Sequence, residues 1–249
     1  APHPSANCMV LHMVRISSSL STRRPSHPLS DVKLNGYFSE VSERFCRYLR
    51  PSDEADVFFS STYTISELSR FGSSQNLEQA VFYLGIAHIE WFRKTRDLLA
   101  VPQKSLLCDN IVIDDDFHLS TDDLQTLLLW PHWMLKCIYA PASVMIGKFW
   151  RGEETVSKSG FKIPRPPLTF LSIRSAFRAP DTQFLSNTPE ISALVAAAED
   201  RQENLLSLIE PKLIRWDGDI AELASANFYS SAKIWSHKFL PEGSRYRLS

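Results

Sequence analysis

The sequence predicts an α+β fold, in which a small β-sheet packs with helices in one domain. Apolar residues recur at helical spacing in several segments, and short runs of β-branched and aromatic residues lie between turn-forming residues. A chain of 249 residues with 44% hydrophobic content is long enough for one large core. We assign residues 1–30 to a flexible tail and residues 31–249 to the domain.

The first half of the chain alternates predicted helices with a short strand. A helix is expected over residues 31–49, where Pro51 ends it, and a strand or buried irregular stretch over residues 57–65. Asn76 is a suitable N-cap for a long helix that ends before Pro102.

The middle of the chain combines a strand with a capped helix. Residues 108–113 form the predicted strand. Ser120 and Asp123 have the spacing of a capping box that opens a helix over residues 124–129. Pro131 lies inside that pattern, so we expect the helix to kink or restart there.

Residues 144–150 and 168–175 are the best strand candidates, and we expect them to pair. Residues 152–167 between them are rich in proline and charge, which predicts a surface loop with a functional role. Thr188 and Pro189 then open a helix that reaches about residue 209, and a last helix covers residues 219–235.

Charge and composition argue against several classes of partner. There are 27 Lys and Arg against 28 Asp and Glu, so no net field attracts nucleic acid or an anionic membrane. No apolar run reaches the roughly 18 residues of a membrane span, and the four cysteines have no C-x-x-C spacing. We expect a soluble, cytoplasmic protein with a small-molecule ligand. Residues 1–30 lack acidic residues and contain arginine and serine, so organelle targeting is the alternative, and the oligomeric state is open.

Nucleotide, zinc and serine-hydrolase signatures are absent from the sequence. The histidines are therefore weighed one by one. His88 lies on the apolar face of its helix, where it is either a haem or metal ligand or a hydrogen-bonded core residue. His118 follows Asp114, Asp115 and Asp116, which could hold a divalent cation or form a solvated helix N-terminus.

His132 is a candidate proton-transfer group in an aromatic segment. Trp130 and Trp133 flank it and either form the wall of a ligand pocket or belong to the core. On the two later strands, Arg174 is expected either to pair with Asp181 or to hold a substrate carboxylate. Further candidates for substrate binding are Arg178 and Lys148.

A set of short motifs supports a resemblance over residues 119–198, and none of them is catalytic by its own chemistry. They are Gly147-Lys148-Phe149, the run from Pro164 to Pro167, Phe170-Leu171-Ser172-Ile173-Arg174, and Asp181-x-x-Phe184-Leu185. This block resembles an uncharacterised bacterial domain of unknown function that is sometimes encoded near natural-product genes. The family pattern has Cys-Pro-Phe and a His after the arginine, whereas Asp109 follows Cys108 here and Ser175 follows Arg174.

The leading hypothesis is an enzyme of secondary metabolism that modifies a carboxylated or amino-acid-like metabolite. Arg174 and Arg178 would bind the anion, and His132 or His118 would transfer the proton. One alternative is a non-catalytic ligand-binding or partner-binding protein that uses the loop at 152–167. The other is a haem-dependent oxygenase with His88 or His132 as axial ligand, by analogy at the level of the fold.

Overall fold

Four strands form a mixed sheet at the centre of the protein. A computed structural model describes residues 32–70, 77–157 and 159–241. The strands are β1 (Phe58–Thr64), β2 (Cys108–Asp114), β3 (Val144–Phe149) and β4 (Thr169–Ser175), in the order β1-β2-β4-β3. β1 runs parallel to β2, and β4 is antiparallel to both β2 and β3. The α+β fold and the predicted pairing of the two later strands are confirmed.

Helices cover both faces of this sheet. They are α1 (Val32–Arg44), α2 (Leu49–Glu54), α3 (Ile65–Ser69), α4 (Leu77–Leu98), α5 (Val101–Leu106), α6 (Thr121–Tyr139), α7 (Arg178–Phe184), α8 (Pro189–Ala196), α9 (Ile220–Ser225) and α10 (Phe228–Ser236). Among the described residues, no helix has both the length and the apolar character that crossing a bilayer requires.

Burial on both faces explains why β2 is a continuous apolar run at its centre. Ile111 and Ile113 face the main core, which α4 and α6 complete. Val112 points to the opposite face, where it packs with Phe170 and with Leu34 of α1 in a smaller cluster. A strand that is covered on both faces loses the alternation of apolar and polar residues.

The first predicted helix is divided in two. α1 ends at Arg44, and α2 begins at Leu49, so Pro51 lies inside a helix instead of ending one. Proline is accepted there because the first-turn N–H groups of a helix have no partner within that helix. The predicted N-cap Asn76 and the predicted tail lie outside the described residues.

α6 begins at the predicted capping box and continues further than predicted. The Ser120 hydroxyl accepts a hydrogen bond from the Asp123 amide at 3.1 Å, as the spacing predicted. Of the kink or restart expected at Pro131, the restart is wrong, because one helix runs through this residue to Tyr139. Nearly every side chain from Leu127 onward is buried, so packing on all sides outweighs the lost backbone hydrogen bond.

The C-terminal third differs from its predicted pattern in two places. The helix that begins at Pro189 ends at Ala196, well before residue 209. The single helix predicted over residues 219–235 is interrupted at Asn227, whose φ of +52° is incompatible with an α-helix. Thr188 precedes Pro189 as predicted, but its hydroxyl donates to the Leu185 carbonyl and does not cap the helix.

A buried ionic cluster fixes the segment after α8 to α4. Arg93 is 2% exposed and donates two hydrogen bonds to the Asp200 carboxylate, at 3.0 and 2.7 Å. Arg96 donates to the same carboxylate and to the carbonyl oxygens of Ala142 and Ser143, at 2.8 and 2.9 Å. Asp200 therefore pairs with two guanidinium groups, Glu90 provides a second carboxylate to Arg93 at 2.9 Å, and the cluster ties three chain segments together.

Candidate functional site

A cavity of about 910 Å³ lies between α1, the connection from α1 to α2, and the sheet. It opens beside β3, which is the last strand of the sheet and therefore has an unpaired edge in the described chain. This volume is in the range of pockets that enclose metabolites and cofactors.

The walls of the cavity are largely aromatic. Phe149 stacks on Phe170 with ring centroids 4.7 Å apart, and Phe38 of α1 packs edge-on against Phe170 at 5.5 Å. On the opposite wall, Tyr48 stacks on Phe177 at 4.3 Å with a 13° angle between the rings. The body of a bound molecule would therefore contact apolar and aromatic surface.

Lys136 of α6 lines the cavity and is only 7% exposed. Within the described part of the chain, its ammonium group has neither a hydrogen-bond acceptor nor an ion-pair partner. Burial, together with the positive charges of Lys148 and Arg174, lowers the pKa of Lys136 to about 8. At pH 7 this side chain is mostly a cation that lacks an anionic partner in the described chain, and above pH 8 it is mostly a neutral amine.

His132 lies one turn before Lys136 on the same helix, and it also lines the cavity. Its Nε2 is 2.9 Å from the Ile146 carbonyl oxygen, so Nε2 carries the hydrogen and donates it to β3. Burial, with the charges of Lys136 and Lys148, holds the pKa of His132 well below its usual range. Nδ1 is therefore a neutral acceptor, and it is buried without a hydrogen-bond partner among the described residues.

Positive charge exceeds negative charge around the cavity. Burial raises the pKa of Glu153 above its usual range. Five cationic side chains and three carboxylic acids line the cavity: Arg44, Arg47, Lys136, Lys148 and Arg174, and Glu43, Glu153 and Asp181. This excess favours an anionic ligand.

Arg174 and Asp181 form the ion pair that was one of the two predicted alternatives. Two nitrogens of the guanidinium group donate to the two carboxylate oxygens at 2.8 and 2.7 Å. The Phe177 amide donates to the same carboxylate at 2.6 Å. Because the fork of Arg174 is already occupied, a bidentate bond to a substrate carboxylate would require this pair to break.

Cys108 lies on the cavity wall as a thiol. Burial raises its pKa to about 12, and its sulfur contacts the Ser172 hydroxyl at 3.5 Å. Because a thiolate is the reactive form of cysteine, this position favours packing over nucleophilic chemistry.

Three of the predicted substrate-binding residues do not line the cavity. Arg178 is exposed and donates to the Ala198 carbonyl at 2.9 Å. Trp130 and Trp133 belong to the core beside α10: the Lys233 ammonium lies 4.8 Å from the Trp130 ring, and the Trp133 indole donates to the Ser236 carbonyl. Of the two alternatives for Trp130 and Trp133, the structure shows core packing, since neither side chain lines the cavity.

His88 lies apart from the cavity, between α4 and the other face of β2. Its Nδ1 is 2.7 Å from a carboxylate oxygen of Asp109, and its Nε2 is 2.9 Å from the Tyr63 hydroxyl. Both ring nitrogens are engaged, so the arrangement does not fit a haem or metal ligand at His88. Of the two roles expected for His88, a haem or metal ligand or a hydrogen-bonded core residue, the structure shows the core residue.

The predicted cation site around His118 is not formed. His118 is exposed, Asp115 pairs with Arg151 at 2.9 Å, and Asp116 accepts hydrogen bonds from Ser66. Across residues 32–70, 77–157 and 159–241, no three metal-ligating side chains come together. His118 is also remote from the cavity lining, so its predicted role in proton transfer finds no support there.

Sequence reasoning placed His132, Lys148, Arg174 and Asp181 at the site, and all four line the cavity. It missed Lys136. The signal was present, because Lys136 is the only Lys, Arg, Asp or Glu from residue 124 to residue 139. A single charge in a long apolar helix is costly to bury unless it has a role.

Comparison of the chain with protein-family models, with curated proteins and with solved structures finds no match.

Proposed function

We propose that this protein is an enzyme that binds a small carboxylated metabolite in the cavity and modifies it. The observation that carries the proposal is Lys136, a buried lysine without a hydrogen-bond or ion-pair partner in the described chain, which faces a cavity of metabolite size. An unpaired buried charge destabilises a protein, so its presence beside a cavity favours a functional role.

The other lining groups support the same proposal. The excess of positive charge attracts a carboxylate, and the stacked aromatic side chains provide an apolar surface for the rest of the molecule. His132 is neutral and has an unused acceptor nitrogen, so it suits the role of general base. An amino-acid-like metabolite combines these features, and a role in secondary metabolism is the part of the proposal that depends on the resemblance.

Binding of simple carboxylates tests the proposal without knowledge of the natural substrate. We expect 3-phenylpropionate to bind the wild-type protein, as measured by calorimetry at pH 7, and its uncharged amide to bind much more weakly. Lys136→Met should weaken carboxylate binding about tenfold or more, because a hydrogen bond to a charged group contributes about 1.5–3 kcal/mol.

Lys94→Met is the matched control, because Lys94 is an exposed lysine within α4 and does not line the cavity. This variant should bind 3-phenylpropionate like the wild type. Equal affinity for the acid and the amide, or no binding of any member of a panel of aromatic and aliphatic carboxylates, would overturn the proposal.

A further inference from the structure

We propose that Lys136 is a nucleophile that forms an imine with the carbonyl carbon of a 2-oxo acid bound in the cavity. This inference rests on the proposed function and names its substrate class. It requires three features at one site: an amine that can lose its proton, a nearby proton acceptor, and separate charges that hold the carboxylate.

The surroundings of Lys136 favour an amine over a permanent cation. Its side chain is buried, and Lys148 of β3 and Arg174 of β4 add positive charge nearby. Asp181, the lining carboxylate that could offset this charge, is bound by Arg174. A lysine that served only to bind an anion would keep its charge more easily at an exposed position, as Arg44 and Arg47 do at the rim of the cavity.

The fraction of neutral amine shows the size of this effect. With a pKa of about 8, close to one in ten Lys136 side chains is neutral at pH 7. For an exposed lysine with a pKa of about 10.4, the neutral fraction is roughly one in 2,500. Lys136 therefore presents about two hundred times more nucleophile than an ordinary surface lysine at this pH.

His132 lies one turn from Lys136 on α6, and we assign to it the proton transfers that imine formation requires. The Lys136 nitrogen attacks the carbonyl carbon and forms the C–N bond, the carbonyl π bond breaks toward oxygen, and one of the two protons of the neutral amine passes to that oxygen to give a hydroxyl group. His132 Nδ1 accepts a proton from the nitrogen and returns it to the hydroxyl, which leaves as water as the C=N bond forms. The step consumes one carbonyl compound, releases one water and needs neither an oxidant nor a reductant.

The remaining lining groups suit the rest of a 2-oxo acid. Arg44, Arg47 and Lys148 provide positive charge for the carboxylate while Lys136 engages the carbonyl carbon. The aromatic wall of Phe149 and Phe170 suits an apolar side chain. A 2-oxo acid with an aromatic or branched apolar side chain meets all of these requirements.

Reductive trapping provides the test. The full chain is incubated at pH 7 with phenylpyruvate and cyanoborohydride, which converts an imine to a stable secondary amine, and the product is examined by intact mass and peptide mapping. We expect one adduct per chain at Lys136 and its loss by at least tenfold in Lys136→Met. Lys94→Met should be labelled like the wild type. Mapping is required because a chain's amino terminus has a similar pKa and also reacts.

Competition with 3-phenylpropionate separates this inference from the proposed function. Since this acid has no carbonyl group at the second carbon, it should bind, leave no adduct and protect Lys136 from phenylpyruvate. Binding of both acids with no adduct at Lys136 would overturn the imine and leave the proposed function standing. Adducts spread over exposed lysines, unchanged in Lys136→Met and unaffected by the competitor, would also overturn it. If neither 3-phenylpropionate nor phenylpyruvate binds, the result counts against the proposed function itself.

Discussion

Replacement of Asp200 by alanine is expected to lower the free energy of unfolding by about 3–5 kcal/mol, the range for removal of one partner from a buried ion pair. The carboxylate is 9% exposed and accepts hydrogen bonds from both Arg93 and Arg96. Its loss leaves Arg96 without an ion-pair partner among the described residues and leaves Arg93 with Glu90 alone. Equilibrium denaturation at pH 7 measures the effect.

Glu199 is the matched control, because it is the residue next to Asp200 and its partner Arg201 is equally exposed. In this pair the two side chains are 68% and 67% exposed and lie 3.1 Å apart. Glu199→Ala should change the free energy of unfolding by less than about 1 kcal/mol. If the two variants have equal stability, the ionic cluster does not hold the segment after α8.

Replacement of Lys136 by methionine is expected to stabilise the protein at pH 7, by about 3 kcal/mol. The folded pKa of about 8 is lower than the unfolded value near 10.5, so the folded state bears the cost of a buried ammonium group at neutral pH. Between pH 8 and 10.5 the unfolded chain keeps a proton that the folded chain has lost. The stability of the wild type therefore rises with pH in this window, and the advantage of the variant decreases toward zero.

Denaturation of both proteins from pH 7 to 10.5 measures this difference, and other titrating groups cancel in the comparison. The charged and titratable groups around Lys136 are His132 and Cys137 on α6, Lys148 on β3, Arg174 on β4 and Asp181 on α7. Lys94→Met should leave stability within about 0.5 kcal/mol of the wild type at every pH. If the Lys136→Met variant is less stable than the wild type at pH 7, this contradicts the prediction that the Lys136 ammonium group is unpaired in the folded protein. Greater stability with loss of ligand binding is the trade-off expected of a functional residue.

Local signals in the sequence were sufficient for the elements that depend on neighbouring residues. The Ser120 capping box and the contact between Arg174 and Asp181 involve short spacings along the chain, and β3 and β4 are consecutive strands joined by one loop. Elements that depend on distant contacts were mispredicted. Pro131 is carried through α6 by burial on all sides, and the break at Asn227 requires a left-handed residue that periodicity does not indicate.

The residues of the candidate site also differ in whether the sequence alone indicates them. Arg174 and Asp181 are close in the sequence, His132 lies in the preceding helix, and all three line the cavity. The opposite wall comes from α1, about one hundred residues earlier, and no local pattern connects it with α6. The isolated charge of Lys136 is visible in the sequence, but its position beside the cavity depends on contacts among α6, β3 and α1 that no local pattern predicts.

The weak attachment of α1 has a consequence for the protein's dynamics. This helix is held to the sheet by the small cluster of Leu34, Tyr37, Val112 and Phe170, which is separate from the main core. Elements with few buried contacts open locally at a lower free energy than the rest of a domain. We therefore expect α1 to open locally at a lower free energy than the helices of the main core, and a bound molecule that bridges it to β4 to slow amide hydrogen exchange along this helix. Exchange in α1 would then report occupancy of the cavity even for a ligand whose identity is unknown.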